Sequence, residues 1–266
     1  MVSIAVAQFA PGLDKLQNEK TIVELVREAA QLGARLVVLP EYAMFTAPSM
    51  DRSFLETAET LSGPFVTNLA TLARELDIFV VAGLNEELEG GEQISNTLVA
   101  LGPQGDVVAV YRKLHLYDAF GYKESDLVRP GAVEEPETFE VDGFSFGMQT
   151  CYDLRFPEVT RRIVDAGAHV LLLPAEWVPG PLKEDHWTTL LRARAIENTI
   201  YVAAADQCAP TGAGNSMIVD PMGVVLASLG EQTAVAVADI SEERLREVRL
   251  KNPALELRRF KVAASD

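Results

Sequence analysis

Short apolar runs alternate along this chain with longer amphipathic segments, and the alternation begins twice. That pattern restricts the fold more than any single residue does, because buried strands joined by helices build layered α/β architectures. In the first half, "SIAVAQFA" reads as a strand. Lys15 to Leu32 reads as a helix, with Ile22, Leu25, Val26 and Ala29 at helical spacing and Gly33 at its end. "RLVVLPE" is a buried strand that stops at Pro40, and Pro64 to Leu76 is a second helix. "IFVVAGLNE", "QISNTLVAL" and "VVAVYRKLHL" follow as strands, the last two joined by the turn "GPQG". Tyr117 to Glu137 has no period and reads as a long loop, a length that in compact domains is often functional.

The second half restarts with the strand "FSFGMQTC", a helix from Pro157 to Ala166, the strand "HVLLLPAEW" and a helix from Asp185 to Asn198. "YVAAADQ", "GNSMIVDP", "VVLASLG" and "TAVAVADI" are strands, and Glu242 to Leu250 is a helix. "AAQLGARLVVLPEY" in the first half echoes "IVDAGAHVLLLPAEW" in the second: helix, Gly-Ala, apolar strand, proline, acidic residue, aromatic. A duplicated unit would build two similar sheets packed face to face with helices outside; an ordinary glycine cap before a buried strand would give the same pattern without duplication. No low-complexity linker divides the halves, so residues 1–266 read as one domain with 251–266 as an extended tail.

The 266 residues carry a formal charge of -16, which excludes nucleic acid and anionic membrane as expected partners. No apolar run approaches the roughly 20 residues of a membrane span. "MVSIAVAQFAPG" lacks a basic leader region, and two cysteines make no disulfide framework; both point to a reducing, cytoplasmic setting.

Three polar residues stand at the ends of apolar strands: Glu41 closes "LVVLPE", Lys113 interrupts "VVAVYRKLHL" and Cys151 closes "FSFGMQTC". Chemically they suffice for nucleophilic catalysis. A thiol needs a base, a partly buried carboxylate can serve, and an ammonium favours thiolate and oxyanion alike. Each also has a plainer reading: Cys151 as core packing, Glu41 as a solvated strand end, Lys113 as an edge charge against aggregation. His115 lies two residues from Lys113, so a Cys151–His115 dyad is the rival arrangement. His169 reads as a satisfied core histidine and His186 as structural. No metal site and no cofactor are expected.

"LVVLPEY", "YRKLHL" and "CYDLRFPE", in that order, with "HWTTLLRARAIENTIYVAAADQ" and "GNSMIVDPMGVVLAS" beyond, resemble the carbon–nitrogen hydrolases of the nitrilase superfamily from Ile4 to about Arg259. The resemblance implies a four-layer αββα sandwich, two packed sheets with outer helices. It also implies Glu41 as general base, Lys113 as oxyanion stabiliser and Cys151 as the nucleophile that accepts the acyl group. Glu124 occupies the place of the family's second glutamate, after the lysine strand, where it would position Lys113 or water. A backbone N–H near Tyr152 would join Lys113 at the oxyanion. The resemblance further implies a homodimer, paired through the helix of "HWTTLLRARAIEN" with the tail "NPALELRRFKV" lying across a partner; the plainer reading folds that tail onto its own subunit.

"CYD", rather than the "CWE" of true nitrilases, resembles the amidase branches, above all omega-amidases (2-oxoglutaramate or 2-oxosuccinamate hydrolases) and deaminated glutathione amidases. The expected substrate is a small amide bearing a carboxylate, hydrolysed with release of ammonia through a thioester. Arg155 would meet that carboxylate, or else form an ion pair with Asp153 or Glu158. Tyr42, Tyr117, Tyr152, Glu176 and Trp177, with Phe45 and Phe120, are candidates for the pocket lining or for the core. Glu176 in "PAEW" and Asn215 in "GNSM" depart from the residues many relatives carry. The alternatives are an N-carbamoyl amide hydrolase and, in another class, a non-catalytic scaffold or binding protein of the same fold.

Overall fold

The computed structural model describes residues 1–264; Ser265 and Asp266, the last two residues of the expected tail, lie outside them. The first half runs β1 (Val2–Gln8), α1 (Lys15–Gln31), β2 (Leu36–Val38), α2 (Ser53–Glu56), α3 (Pro64–Leu76), β3 (Phe79–Glu87), β4 (Ile94–Leu101) and β5 (Val107–Arg112). The second half runs β6 (Thr138–Val141), β7 (Phe144–Met148), α4 (Pro157–Asp165), β8 (Val170–Ala175), α5 (Lys183–Asn198), β9 (Tyr201–Asp206), β10 (Met217–Val219), β11 (Val225–Ser228), β12 (Ala234–Ile240) and α6 (Glu242–Lys251).

Twelve strands form two six-stranded sheets, ordered β12-β1-β2-β3-β4-β5 and β11-β10-β9-β8-β7-β6. In the first, β1, β2 and β3 are parallel and every other pairing is antiparallel. In the second, β7, β8 and β9 are the parallel core, again with antiparallel neighbours. The halves therefore repeat one connectivity, with β2 matching β8 and α1 matching α4. The sequence echo falls on those equivalent elements, so it marks matching units of the architecture. The two edges differ in origin: β6 directly precedes its neighbour β7, whereas β12 reaches β1 from the far end of the chain.

Strand alternation divides the apolar residues among three layers. Ile4 and Val6 of β1, Leu36 and Val38 of β2, Phe144 and Phe146 of β7, and Leu172 of β8 meet between the sheets. Ala5, Ala7 and Val37 face α1 and α3 on one side, while Leu171, Leu173 and Val202 face α4 and α5 on the other. Both faces of each parallel core are covered, which is why these strands read as continuous apolar runs. α1 starts where the Asp14 side chain accepts from the N–H groups of Leu16 and Gln17, and ends before Gly33 at φ 87°.

Four expectations need correction. The hairpin strand β6 was missing from the sequence reading, although the Asp142-Gly143 turn, both residues at positive φ, is the common signature of a two-residue hairpin. The short helix α2 was likewise missing. β5 stops at Arg112 and β7 at Met148, so Lys113 and Cys151 stand just past their strands rather than within them. Pro253 to Leu257 form a turn rather than an extended run, Leu255 packs against the apolar cluster under the second sheet's helices, and Arg258 pairs with Asp165.

β3 carries a glycine where the backbone of Pro40 to Tyr42 crosses it. A Cβ on Gly83 would come within 2.7 Å of Tyr42 N and 2.8 Å of Glu41 Cα, backbone atoms that cannot swing aside. Gly83→Ala should lose about 1–3 kcal/mol in denaturant unfolding, whereas Gly12→Ala, with open space around it, should change stability little; equal effects would show that the close approach is not limiting.

Candidate active site

The segments that follow β2, β5, β7 and β8 converge on one cavity of about 380 Å³. Glu41, Lys113, Glu124 and Cys151 all line it, although 72 and 38 residues separate the first, second and last of them. At its centre Lys113, 2% exposed, places Nζ 2.9 Å from Glu41 Oε1 and 2.9 Å from Glu124 Oε2. Asn96 Nδ2, from the buried strand β4, donates to both carboxylates, at 2.6 Å to Glu41 and 3.0 Å to Glu124. Glu124 also accepts from the Tyr42 hydroxyl at 2.9 Å and the Tyr117 N–H at 2.5 Å. Glu41 Oε2 accepts from the Glu176 N–H at 2.6 Å. Each oxygen of both glutamates is thus fixed in direction.

Cys151 opens a 3-10 turn, Cys151–Arg155, at φ 43°, a left-handed conformation that non-glycine residues seldom adopt. The fully buried Asp153 holds that turn. Its carboxylate accepts from Thr150 N–H at 3.3 Å, the Tyr111 hydroxyl at 2.6 Å and His115 N–H at 2.9 Å. Cys151 Sγ lies 3.5 Å from the Glu176 carbonyl oxygen.

His115 does not form the rival dyad. β5 ends before it, its Nδ1 lies 2.8 Å from Asp153 Oδ1, and its ring stacks on Phe156 at 3.7 Å, away from the cavity lining. His169 accepts from the Ser145 N–H and is half-buried just before the central strand β8, while His186 Nδ1 sits 3.3 Å from Arg155 Nη2.

Arg155, Tyr42, Tyr117, Tyr152, Glu176 and Trp177 all line the cavity. Phe45 does not; it packs edge-on against Phe54. The expected ion pair of Arg155 with Asp153 or Glu158 is absent: among the described residues no carboxylate lies within ion-pair distance of its guanidinium. Asn215 is likewise outside the lining; its carbonyl accepts from Trp187 Nε1. Sequence reasoning missed Asn96, Lys183 and Asp206. An asparagine inside a fully buried strand was a usable signal for the first. Asp206 accepts from the N–H groups of Trp177 and Ala213 and so fixes the loop after β8. Among the described residues no helix is long and apolar enough to cross a membrane.

The family model of the carbon-nitrogen hydrolases matches residues 3–250. The chain is 40% identical over 258 residues to the deaminated glutathione amidase of Escherichia coli O157:H7, covering 97% of each. It superposes on Nit3 of Saccharomyces cerevisiae, described as a member of branch 10 of the nitrilase superfamily, with a TM-score of 0.86 at 28% identity over 97% of both chains. A mutant of the amidase from Nesterenkonia sp. AN1, described as showing covalent addition of the acetamide moiety of fluoroacetamide at the active site cysteine, gives a TM-score of 0.82 at 28% identity over 97% of this chain and 94% of that one.

Burial pushes the Cys151 thiol well above its usual range, and the charge of Glu41 adds to this against the pull of Lys113. Burial opposes the Lys113 ammonium, yet Glu124 and Glu41 outweigh it and hold it well above the ordinary lysine value. Burial works against the Glu124 carboxylate too, but Lys113 and the donors around it keep it low. Glu176 differs: its carboxyl finds no hydrogen-bond partner among the described residues, and burial, then Glu41, push it well upward. Below the usual carboxylate pKa, Glu176 is protonated whether the chain is folded or not. As pH rises to neutrality only the unfolded form releases that proton, so stability is lost over this window. Glu176→Gln should therefore raise the melting temperature more at about pH 7.5 than at about pH 4. A gap that does not change with pH would mean Glu176 is charged in the folded protein.

Proposed function

The chain belongs to the carbon–nitrogen hydrolase family, and from that premise we propose that it hydrolyses a small, linear, carboxylate-bearing amide through a thioester on Cys151. The observation that carries this reading is the grouping in one cavity of a thiol, a carboxylate and an ammonium, with Lys113 held between Glu41 and Glu124. Glu41 takes the thiol proton as Cys151 Sγ attacks the amide carbonyl. The resulting oxyanion is met by Lys113 Nζ and the Tyr152 N–H. Glu41 returns the proton to the departing nitrogen, so ammonia or an amine leaves and the acyl group remains on sulfur. Water then gives a proton to Glu41 and attacks the thioester; collapse frees the acid, and Glu41 restores the thiol. Glu124 holds Lys113 and takes no proton.

Because burial keeps the resting thiol protonated, the thiolate exists only while Glu41 removes the proton, as general-base catalysis requires. Arg155, which has no carboxylate partner among the described residues, receives the substrate's acid group, while Tyr117, Tyr152 and Trp177 bound its carbon chain. The name of the Escherichia coli relative favours an amide of the deaminated glutathione kind over a carbamoyl amide. The presence of every reacting group disfavours a scaffold. A homodimer and a cytoplasmic setting belong to the same proposal, drawn from the family resemblance.

Purified protein should release product amine or ammonia from deaminated glutathione or 2-oxoglutaramate, and Cys151→Ala should abolish it. Glu41→Gln should lower kcat/KM by about 10²–10⁴. Turnover that survives Cys151→Ala rules out the thioester route.

A further inference from the structure

The cavity that holds the two glutamates also carries a cation beside Arg155. Lys183, the first residue of α5, is 6% exposed and lines the same cavity as Arg155. Its Nζ lies 3.1 Å from the Tyr117 hydroxyl and stands 5.0, 4.7 and 5.2 Å from the ring centres of Tyr117, Phe120 and Trp177. Arg155 Cζ stands over two of the same rings, 4.9 Å from Trp177 and 5.8 Å from Phe120. The two cations thus share one aromatic box.

Neither has an anionic partner among the described residues, although the chain carries 39 Asp and Glu against 23 Lys and Arg. The Arg155 Nε donor is moreover buried without any acceptor. A buried, unsatisfied guanidinium donor costs free energy unless something occupies it. Lys183 feels the same want: burial, then the charge of Arg155, depress its pKa. Like charges held side by side in a wall, with ring faces below them and open cavity in front, are arranged for an anion that arrives from solution.

We propose that Arg155 and Lys183 together form a carboxylate subsite, and that Lys183 is the specificity-determining residue that selects acid-bearing amides over their neutral counterparts. This rests on the amidase reading above and adds to it the residue that enforces its preference for an acid group. Arg155 supplies the planar fork for two carboxylate oxygens and Lys183 a third, directional donor. A neutral ester or a second amide in that position would leave both cations without a counter-charge.

Two measurements test this. Wild-type protein should hydrolyse glutaramate with a KM far below that for its methyl ester. Lys183→Met should raise the glutaramate KM by about ten- to hundredfold, with kcat and the ester's kcat/KM changing far less, and Lys183→Arg should recover much of the loss. Equal handling of acid and ester by the wild type, or a Lys183→Met effect shared equally by both, overturns the proposal. The second measurement needs no turnover: glutarate should raise the melting temperature of the wild type, and this shift should vanish in Lys183→Met. A glutarate shift without hydrolysis of any amide would retain the subsite and remove the amidase reading. Hydrolysis without a glutarate shift would retain the amidase and remove the subsite.

Discussion

Everything at the site is arranged around a buried ammonium held between two carboxylates. Lys113 follows β5, Glu41 follows β2, and Glu124 sits in the long loop after Lys113. A charge this deep is tolerable only with partners, and removing one partner of such a pair costs about 3–5 kcal/mol. The three residues therefore fix three chain segments against one another. The cluster also carries one negative charge more than it neutralises. That surplus raises the proton affinity of its neighbours, so the Cys151 thiol and the Glu176 carboxyl are both pushed upward once burial has begun the shift. Arg155 and Lys183 line the same cavity, and among the described residues neither has a carboxylate within ion-pair distance.

The architecture explains how such distant residues meet. The two sheets repeat one connectivity, and the strands β2 and β8 occupy equivalent places. Each leads into a proline followed shortly by glutamate, Pro40 just beyond β2 and Pro174 near the end of β8, and Glu41 and Glu176 both reach the cavity. They touch through the backbone: the Glu176 N–H binds Glu41 Oε2. One copy is hydrogen-bonded by Lys113 and Asn96, whereas the other has no partner for its carboxyl. Matching scaffolds have placed the same residue type in two different hydrogen-bonding environments.

Layering and helix positions were legible in the sequence because apolar periodicity is a local signal, and so was the place of Glu41, Lys113 and Cys151 at strand ends; their meeting, and the part of Glu124, were implied only by the family resemblance. The strand β6 was legible too, in the Asp142-Gly143 turn, but the loop before it obscured the pattern. What sequence could not supply is partnership. Whether Arg155 pairs with Asp153 depends on where the Cys151–Arg155 turn aims each side chain, and Asp153 is instead taken by Thr150, Tyr111 and His115. The same applies to His115, whose spacing from Lys113 suggested a shared strand face until the strand proved to end before both. Lys183 gave no sign at all: one lysine ahead of a helix looks like any solvated residue until the three rings around it are seen.

The origin of the two sheet edges bears on how the protein forms as it is made. The second sheet takes its edge strand, β6, from the residue stretch immediately before its core, so it can close as soon as its own segment is available. The first sheet takes β12 from Ala234–Ile240, after all the rest of both sheets. Until those residues leave the ribosome, β1 presents an unpaired backbone edge, the feature that invites wrong pairing between chains. The N-terminal half is synthesised first and completed last, and the interval between the two events is where a translating chain most needs protection.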